Sequence, residues 1–474
     1  MCRPPWDKIT VILCKGEYMK KENKVFYKKL LFLVVPIALQ NLMSAMVSAS
    51  DAIMLSLLDQ DSLSAVSLAA QVQFVLSLFW AALTIGATIL AAQYWGKKDI
   101  QAVEWILAIV LKFSVLVSFV FFAGAIAFPR MLMRIFTNDD TLITLGAVYL
   151  RTVSWSYLFA GVSQIYLCIM KNSGRTGRST VFGSVSMGMN ILLNAIFIFG
   201  LLGVPKMGIR GAAVATVLAR GIELFLVLAE CARKDVVRIR LKYLRSSNPV
   251  LLKDFWHYTS PVLANELVWG CGFTMFSVIM GHLGSDAVAA NSIANIVKNL
   301  IACLSLGIGS GSGIIVGNEL GTGALERAKE YGGRLCRLAL LAGAASGLLL
   351  LLCSPLILAV SGNLSRQAGG YLQGMLIMCS YYMIGKSINS TVIAGIFCAG
   401  GDTKFGLLCD LITMWVIIVP VGIIAAFVLK LPVLAVYFLL NLDEFVKLPA
   451  VYCHYRKYKW ARNLTRDMSR SDQG

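Results

Sequence analysis

Asp51 stands in the run SASDAIML (residues 48–55), a carboxylate among residues that are otherwise small or apolar. An acid in hydrocarbon costs several kcal/mol, so intramembrane acids usually face a protein interior and mark ion or proton paths. Asp51 lies eight residues before the turn at Asp59, roughly 12 Å deep at ~1.5 Å per helical residue. Gln40, Ser44 and Ser48 precede it by eleven, seven and three residues and share its helical face. Ser186, Asn190 and Asn194 recur every four residues and form a second polar stripe. Their oxygens suit a hard cation, and asparagines at this spacing also hold membrane helices together. A third stripe is Asn291, Asn295 and Asn299. Glu266 sits near Trp269 and Phe273, an acid beside rings that suits an organic cation through charge and cation–π attraction. Lys386 is the other charge expected deep inside a span and is a candidate ion-pair partner of Glu266.

Placing these side chains requires a membrane. The 474 residues are 58% hydrophobic and 14% charged, against roughly 45–50% apolar and about 25% charged in soluble domains. Apolar stretches long enough for a ~30 Å hydrocarbon core fall near 30–58, 64–94, 103–128, 141–170, 178–203, 209–232, 255–283, 286–318, 330–360, 369–397, 404–429 and 431–455. The expected fold class is therefore an all-α polytopic membrane protein with twelve transmembrane helices. Short loops such as WGKKD (95–99) and AGGDTK (399–404) connect them. The N-terminal stretch 1–29 holds ITVILC, too short for the apolar core of a signal peptide, and Met19 is an alternative start to Met1.

Basic residues orient the chain. With the N-terminus inside, inner segments hold 31 of the 43 Lys and Arg and outer loops hold six, so both termini are expected in the cytosol, with the protein in the cytoplasmic membrane. The net charge of +18 then faces anionic inner-leaflet lipid, and no nucleic-acid partner is expected. The twelve cysteines show no C-x-x-C spacing and read as small hydrophobes. The GKS at 385–387 lacks the P-loop glycine at position 380, which is Ser380. No cofactor, and no metal beyond Na+ at Asp51, Asn190 and Asn194, is expected; transport would draw on H+ or Na+.

A shift of 225 residues lays Pro36 over Pro261, Asp61 over Asp286 and Gly96 over Gly321. The shift spans an even number of helices, so the halves share one orientation and a pseudo-two-fold axis along the membrane normal, an arrangement of transporters with the substrate path between the halves. The expected organisation is a basic cytosolic tail (1–29), an N-lobe (30–232), a cytosolic linker (233–254), a C-lobe (255–455) and a second basic tail (456–474).

The segments PIALQNLM, SDAIML, MNILLNAIFIFG, GIRGAAVATVLAR, PVLANELVWG and AGGDT together resemble the multidrug and toxic compound extrusion (MATE) family over about residues 30–455. The resemblance implies a monomeric, cation-coupled (H+ or Na+) antiporter with two six-helix lobes that exports small organic, often cationic, compounds. It implies coupling or cation binding at Asp51 and Glu266, with Asn190 and Thr216 as further N-lobe ligands. One branch of the family has an acid where this chain has Asn194, and another has one in the tenth span, where the nearest polar residues here are Lys386 and Asn389. These departures favour H+ over Na+ in the N-lobe, because one carboxylate needs only a proton to become neutral, and they argue against a C-lobe ion site.

Two other classes remain to be weighed. A lipid-linked saccharide flippase of the same superfamily would line its cavity with cationic side chains, and few basic residues fall inside these spans. A membrane-embedded enzyme would need clustered His or catalytic acids, but His257, His282 and His454 are scattered at span ends.

Overall fold

The structure is a computed structural model describing residues 6–233, 236–361 and 364–466, with side chains from residue 24 onward. Every regular element among the described residues is helical. The first half comprises α1 (Trp6–Ser56), α2 (Gln60–Gly96), α3 (Ile100–Ala127), α4 in two segments (Asp140–Val153 and Trp155–Asn172), α5 (Thr176–Phe199) and α6 (Ile209–Cys231). The second comprises α7 (Pro249–Gly281), α8 (Ser285–Gly321), α9 (Leu325–Val360), α10 (Arg366–Asn389, continuing through Ser390–Phe397), α11 (Thr403–Val428) and α12 in two segments (Val433–Leu440 and Asp443–Arg456).

Polar residues at the turns set the helix starts. Asp59 accepts from the Ser62 amide at 2.6 Å, Asp99 from Ala102 at 3.0 Å, and Asn248 from Leu251 at 3.1 Å ahead of Pro249, each satisfying an amide that the first turn leaves unpaired. Asp59 is solvent-exposed, and the bonds from the Ser62 amide and hydroxyl hold its carboxyl below the usual carboxylate range.

Nine described helices are apolar and long enough to cross a membrane, and the two segments of α4, bent by 46°, make a tenth. The other two expected spans, α10 and α12, carry inward charge: the half-buried Lys386 in the first, and the buried Asp443, Glu444 and Lys447 in the second. In α10 the stretch Ser390–Phe397 is wound more widely than an α-helix, a distortion that tends to accompany functional sites.

The internal repeat is visible in the element bounds. Ser56 and Gly281, Gln60 and Ser285, Gly96 and Gly321, and Ile100 and Leu325 are all 225 positions apart. It is also visible where the halves touch. A Cβ on Gly96 would fall 2.2 Å from the Asn318 carbonyl oxygen, and one on Gly321 would fall 1.9 Å from that of Gln93. Gln93 and Asn318 are themselves repeat mates, so these two contacts exchange under the two-fold relation. The ends of α2 and α8 therefore cross on the pseudo-two-fold axis, and the absence of side chains lets their backbones meet. The result is two six-helix lobes around one axis.

The expected tails are partly built into this body. Residues 24–29 continue α1 rather than forming a tail; Phe26 is 1% exposed, with its ring 4.6 Å from that of Tyr331. After α12, residues 457–466 form an ordered strap across the face on which the chain ends, here the basal face. Trp460 is fully buried within the C-lobe, and the chain then reaches α2, where Gln93 binds it. Residues 1–5 and 467–474 of the two expected tails, and 234–235 of the expected linker, lie outside the described residues.

Candidate functional site

The N-lobe brings together the four residues expected to load a cation. Asn194 on α5 donates to Asp51 on α1 at 2.6 Å and lies 3.3 Å from Asn190 Oδ1; Asn190 in turn donates to Thr216 on α6 at 3.3 Å. Thr216 passes its own proton to the Ala212 carbonyl at 3.0 Å, which leaves its oxygen free to accept. The four-residue period of α5 stacks Asn190 and Asn194 on one face, and close packing of α1 presents Asp51 to them. Asn194 is 1% exposed, and its Oδ1 has no hydrogen-bond partner among the described residues. No ammonium or guanidinium lies within 4 Å of Asp51 among the described residues.

In the first stripe Gln40 is enclosed and Asp51 half-buried. Gln40 is buried against Gly183, where a Cβ would fall 2.6 Å from Gln40 Nε2. Ser44 and Ser48 are exposed, and Ser48 bonds back to the Ser44 carbonyl at 3.3 Å. Ser186 also leaves its stripe and donates to the Ala219 carbonyl at 2.9 Å, tying α5 to α6.

A cavity of about 440 Å³ lies between the lobes. Glu266 and Trp269 line it, together with Lys386 and the wide segment of α10. Phe273, Asn291 and Asn295 do not line it: Phe273 stacks behind Trp269 at 5.7 Å, and the asparagines bond to each other at 3.2 Å along α8. Lys386 pairs with Glu444 at 3.2 Å, not with Glu266, because α12 packs beside α10 at this depth. Glu266 makes no ion pair or hydrogen bond among the described residues.

The C-lobe holds a charge network that the sequence reasoning passed over. Lys447 lies 2.6 Å from Asp410 and 3.9 Å from both Asp443 and Glu444. Asn389 donates to Glu444 Oε2 at 2.8 Å and to its carbonyl at 2.7 Å. Lys298 on α8 lies 4.9 Å from the centre of the Tyr382 ring beside this network. Asp410, near the start of α11, is buried at 7% exposed. The signal was present in DEFVK (443–447), where two acids stand three and four residues before a lysine inside an expected span.

The folded chain is similar to solved membrane transporters. A structure of a MOP superfamily transporter from Pyrococcus furiosus, described as having a binding pocket of reversed polarity, matches with a TM-score of 0.83 at 19% identity over 91% of this chain and 95% of that one. An outward-facing multidrug resistance MATE family transporter of the same superfamily matches at 0.82 and 19%, over 91% and 96%. These likenesses show the fold: twelve helices in two lobes. The MatE family model matches residues 36–196 and 261–424, once in each lobe, and the chain belongs to that family. Relatives include a probable multidrug resistance protein NorM of Pasteurella multocida, 26% identical over 84% of this chain and 86% of its own length. An uncharacterised transporter YisQ of Bacillus subtilis is 24% identical over 93% and 96%. The multidrug resistance protein MdtK of Pectobacterium atrosepticum is 24% identical over 84% and 87%.

Proposed function

We propose that this protein is a secondary antiporter of the cytoplasmic membrane. It exports small organic compounds through the cavity between its lobes while a cation, H+ in preference to Na+, enters by way of Asp51. The observation that carries the reading is the amide chain ending on Asp51. It holds a carboxylate in a polar pocket with no resident ammonium, so a mobile cation is left to cancel the charge. A proton needs no coordination shell, and Asn194 supplies no second charge for Na+. Loading removes a buried charge and lets α1 repack against α5, which gives a two-state element that ion and substrate can both bias. The basal face, which carries most of the Lys and Arg, is the cytosolic one. The multidrug resistance names of relatives support the substrate class.

One observation bears on the flippase alternative. Lys171, Lys386 and Lys447 do line the cavity, but Glu266, Asp410 and Glu444 line it too, so its walls carry no positive surplus for a lipid phosphate. Reconstitution into liposomes with imposed pH or Na+ gradients tests the proposal. Export of a fluorescent organic compound driven by the pH gradient is expected. Gradient-independent scrambling of a labelled lipid without export of any soluble compound would overturn it.

A further inference from the structure

We infer that the cavity selects compounds without net positive charge, zwitterions above all, and that Lys386 is the residue that sets this preference. The inference rests on the transport reading above and names its substrate class. A cavity of about 440 Å³ has the size of one drug-like molecule. Three carboxylates and three ammoniums line it: Glu266, Asp410, Glu444, Lys171, Lys386 and Lys447. Four of these neutralise one another, Lys386 with Glu444 at 3.2 Å and Lys447 with Asp410 at 2.6 Å. Two are left without an opposite charge within 4 Å among the described residues: Glu266 on α7 and Lys171 on α4.

The aromatic part of the expected cation box is occupied as well. Lys386 Nζ lies 5.7 Å from the centre of the Trp269 ring, whose other neighbour is Phe273. An organic cation would have to displace a tethered one, and its arrival would leave the enclosed space with a surplus charge. A zwitterion adds no net charge, and its ammonium and anion find the two unpaired partners, one on each lobe. Lys386 is thus a resident cation and a specificity-determining residue.

The test uses three probes on one arylalkyl skeleton: a primary ammonium, the matching ammonium carboxylate and the neutral alcohol. Binding to the purified protein is followed by tryptophan fluorescence and export is followed in proteoliposomes. Wild type is expected to bind the ammonium carboxylate about tenfold more tightly than the ammonium. Lys386→Gln should raise ammonium affinity about tenfold, Lys386→Arg should keep the wild-type order, and Lys171→Gln should weaken the ammonium carboxylate alone. Tighter binding of the ammonium by wild type, or an unchanged order in Lys386→Gln, would overturn the inference. Binding in this order with no export of any probe would instead overturn the transport reading and leave the selectivity standing.

A different observation carries a second inference: we infer that residues 457–466 latch the two lobes together at the basal face and must release when that face opens. Trp460 anchors the strap in the C-lobe, where a Cβ on Gly400 would fall 1.5 Å from its carbonyl oxygen. On the N-lobe, Gln93 donates to the carbonyls of Ala399 at 2.7 Å and Arg462 at 3.1 Å and accepts from the Leu464 amide at 2.7 Å. The Arg466 amide donates to Tyr94 Oη at 3.1 Å, and its guanidinium pairs with Asp254 at 2.8 Å. Asn318, the repeat mate of Gln93, has an unpartnered Oδ1, so nothing in the two-fold relation demands these bonds. A rocking motion of the lobes about the pseudo-two-fold axis would break the bonds of Gln93 and Tyr94, whereas the Arg466–Asp254 pair joins the strap to α7.

Spin labels at the exposed positions Lys98 and Glu326, carried on unnatural amino acids, report the basal separation by pulsed dipolar spectroscopy. Wild type is expected to populate mainly the short distance, and Gln93→Ala and a chain ending at Arg456 should both shift population to a longer one. Identical distance distributions in all three proteins would overturn the latch.

Discussion

The two lobes share a backbone plan, but Asp51 of the N-lobe and the acid cluster around Lys447 in the C-lobe are treated in opposite ways. In the N-lobe, Asp51 meets only the amide of Asn194, itself linked to Asn190 and Thr216. In the C-lobe, Asp410, Asp443 and Glu444 each lie within 4 Å of the Lys447 ammonium, and Glu444 has Lys386 as well. Burying a carboxylate is costly unless a cation neutralises it. The Lys447 cluster has its cations built in, as do Glu223 with Arg220 and Glu230 with Arg175 and Arg178 in the N-lobe, whereas the Asp51 pocket leaves the place open. A site that loads and unloads an ion must lack a permanent counter-charge, which suits the amide-lined Asp51 pocket to coupling and the Lys447 network to holding α10, α11 and α12 in register. Glu266, also without a counter-charge among the described residues, lines the substrate cavity.

The sharpest way to break this comparison is Asp51→Asn. If the N-lobe alone couples, gradient-driven export should fall by at least about 100-fold, the scale of losing an essential proton carrier, while substrate affinity stays within about threefold. Normal export by this variant under an imposed pH gradient would place the coupling site elsewhere. In the C-lobe the corresponding change is Lys447→Met, which strands Asp410 and Asp443 and leaves Glu444 with Lys386 alone. It should cost about 3–5 kcal/mol of stability, read as a large fall in thermal midpoint in detergent. A variant that stays as stable as wild type but loses coupling would reverse the assignment of the lobes.

The amides give a finer contrast. Asn194→Ala removes the 2.6 Å donor to Asp51, and Asn389→Ala removes the donor to Glu444 Oε2 at 2.8 Å. Each should cost about 1–3 kcal/mol, the range for a buried group left unpaired. The expected difference is in function: Asn194→Ala lowers the rate of pH-driven export about tenfold, and Asn389→Ala leaves it near wild type. Equal losses of transport would erase the distinction.

How much of this was legible follows from where the information lies. The N-lobe pocket could be read because Asn190 and Asn194 repeat at helical spacing and because the resemblance named Thr216 alongside Asp51. The helix bounds could be read because the 225-residue repeat preserves turn residues such as Gly96 and Gly321. The partner of Lys386 could not, since packing of α12 on α10 decides between Glu266 and Glu444 and no periodicity encodes it. Phe273 was placed at the cavity because it shares a helix with Glu266, yet its ring stacks on Trp269 and does not line the cavity. The strap was invisible because its backbone is irregular and its partners Gln93, Tyr94 and Asp254 lie on two other helices.

The smallest expected effect lies at the outer turns, where the repeats again diverge. Asp59 caps α2 through the Ser62 amide at 2.6 Å, whereas its repeat mate Gly284 starts α8 with no side-chain bond and a φ of +111°, a conformation that favours glycine. Asp59→Ala should therefore cost about 0.5–1 kcal/mol, the lower part of the capping range because the turn is exposed. The sign of its pH dependence follows from the bonds that hold the Asp59 carboxyl below its usual range. A group with a lowered folded-state pKa stabilises the fold at pH values above its unfolded pKa, and that contribution is lost as pH falls through the folded value. The stability gap between wild type and Asp59→Ala should thus be constant from neutral pH down to the ordinary carboxylate range and close below it. Thermal midpoints of the two proteins measured across an acid series check this. A gap that persists in strong acid would mean that Asp59 acts through packing rather than as a charged cap.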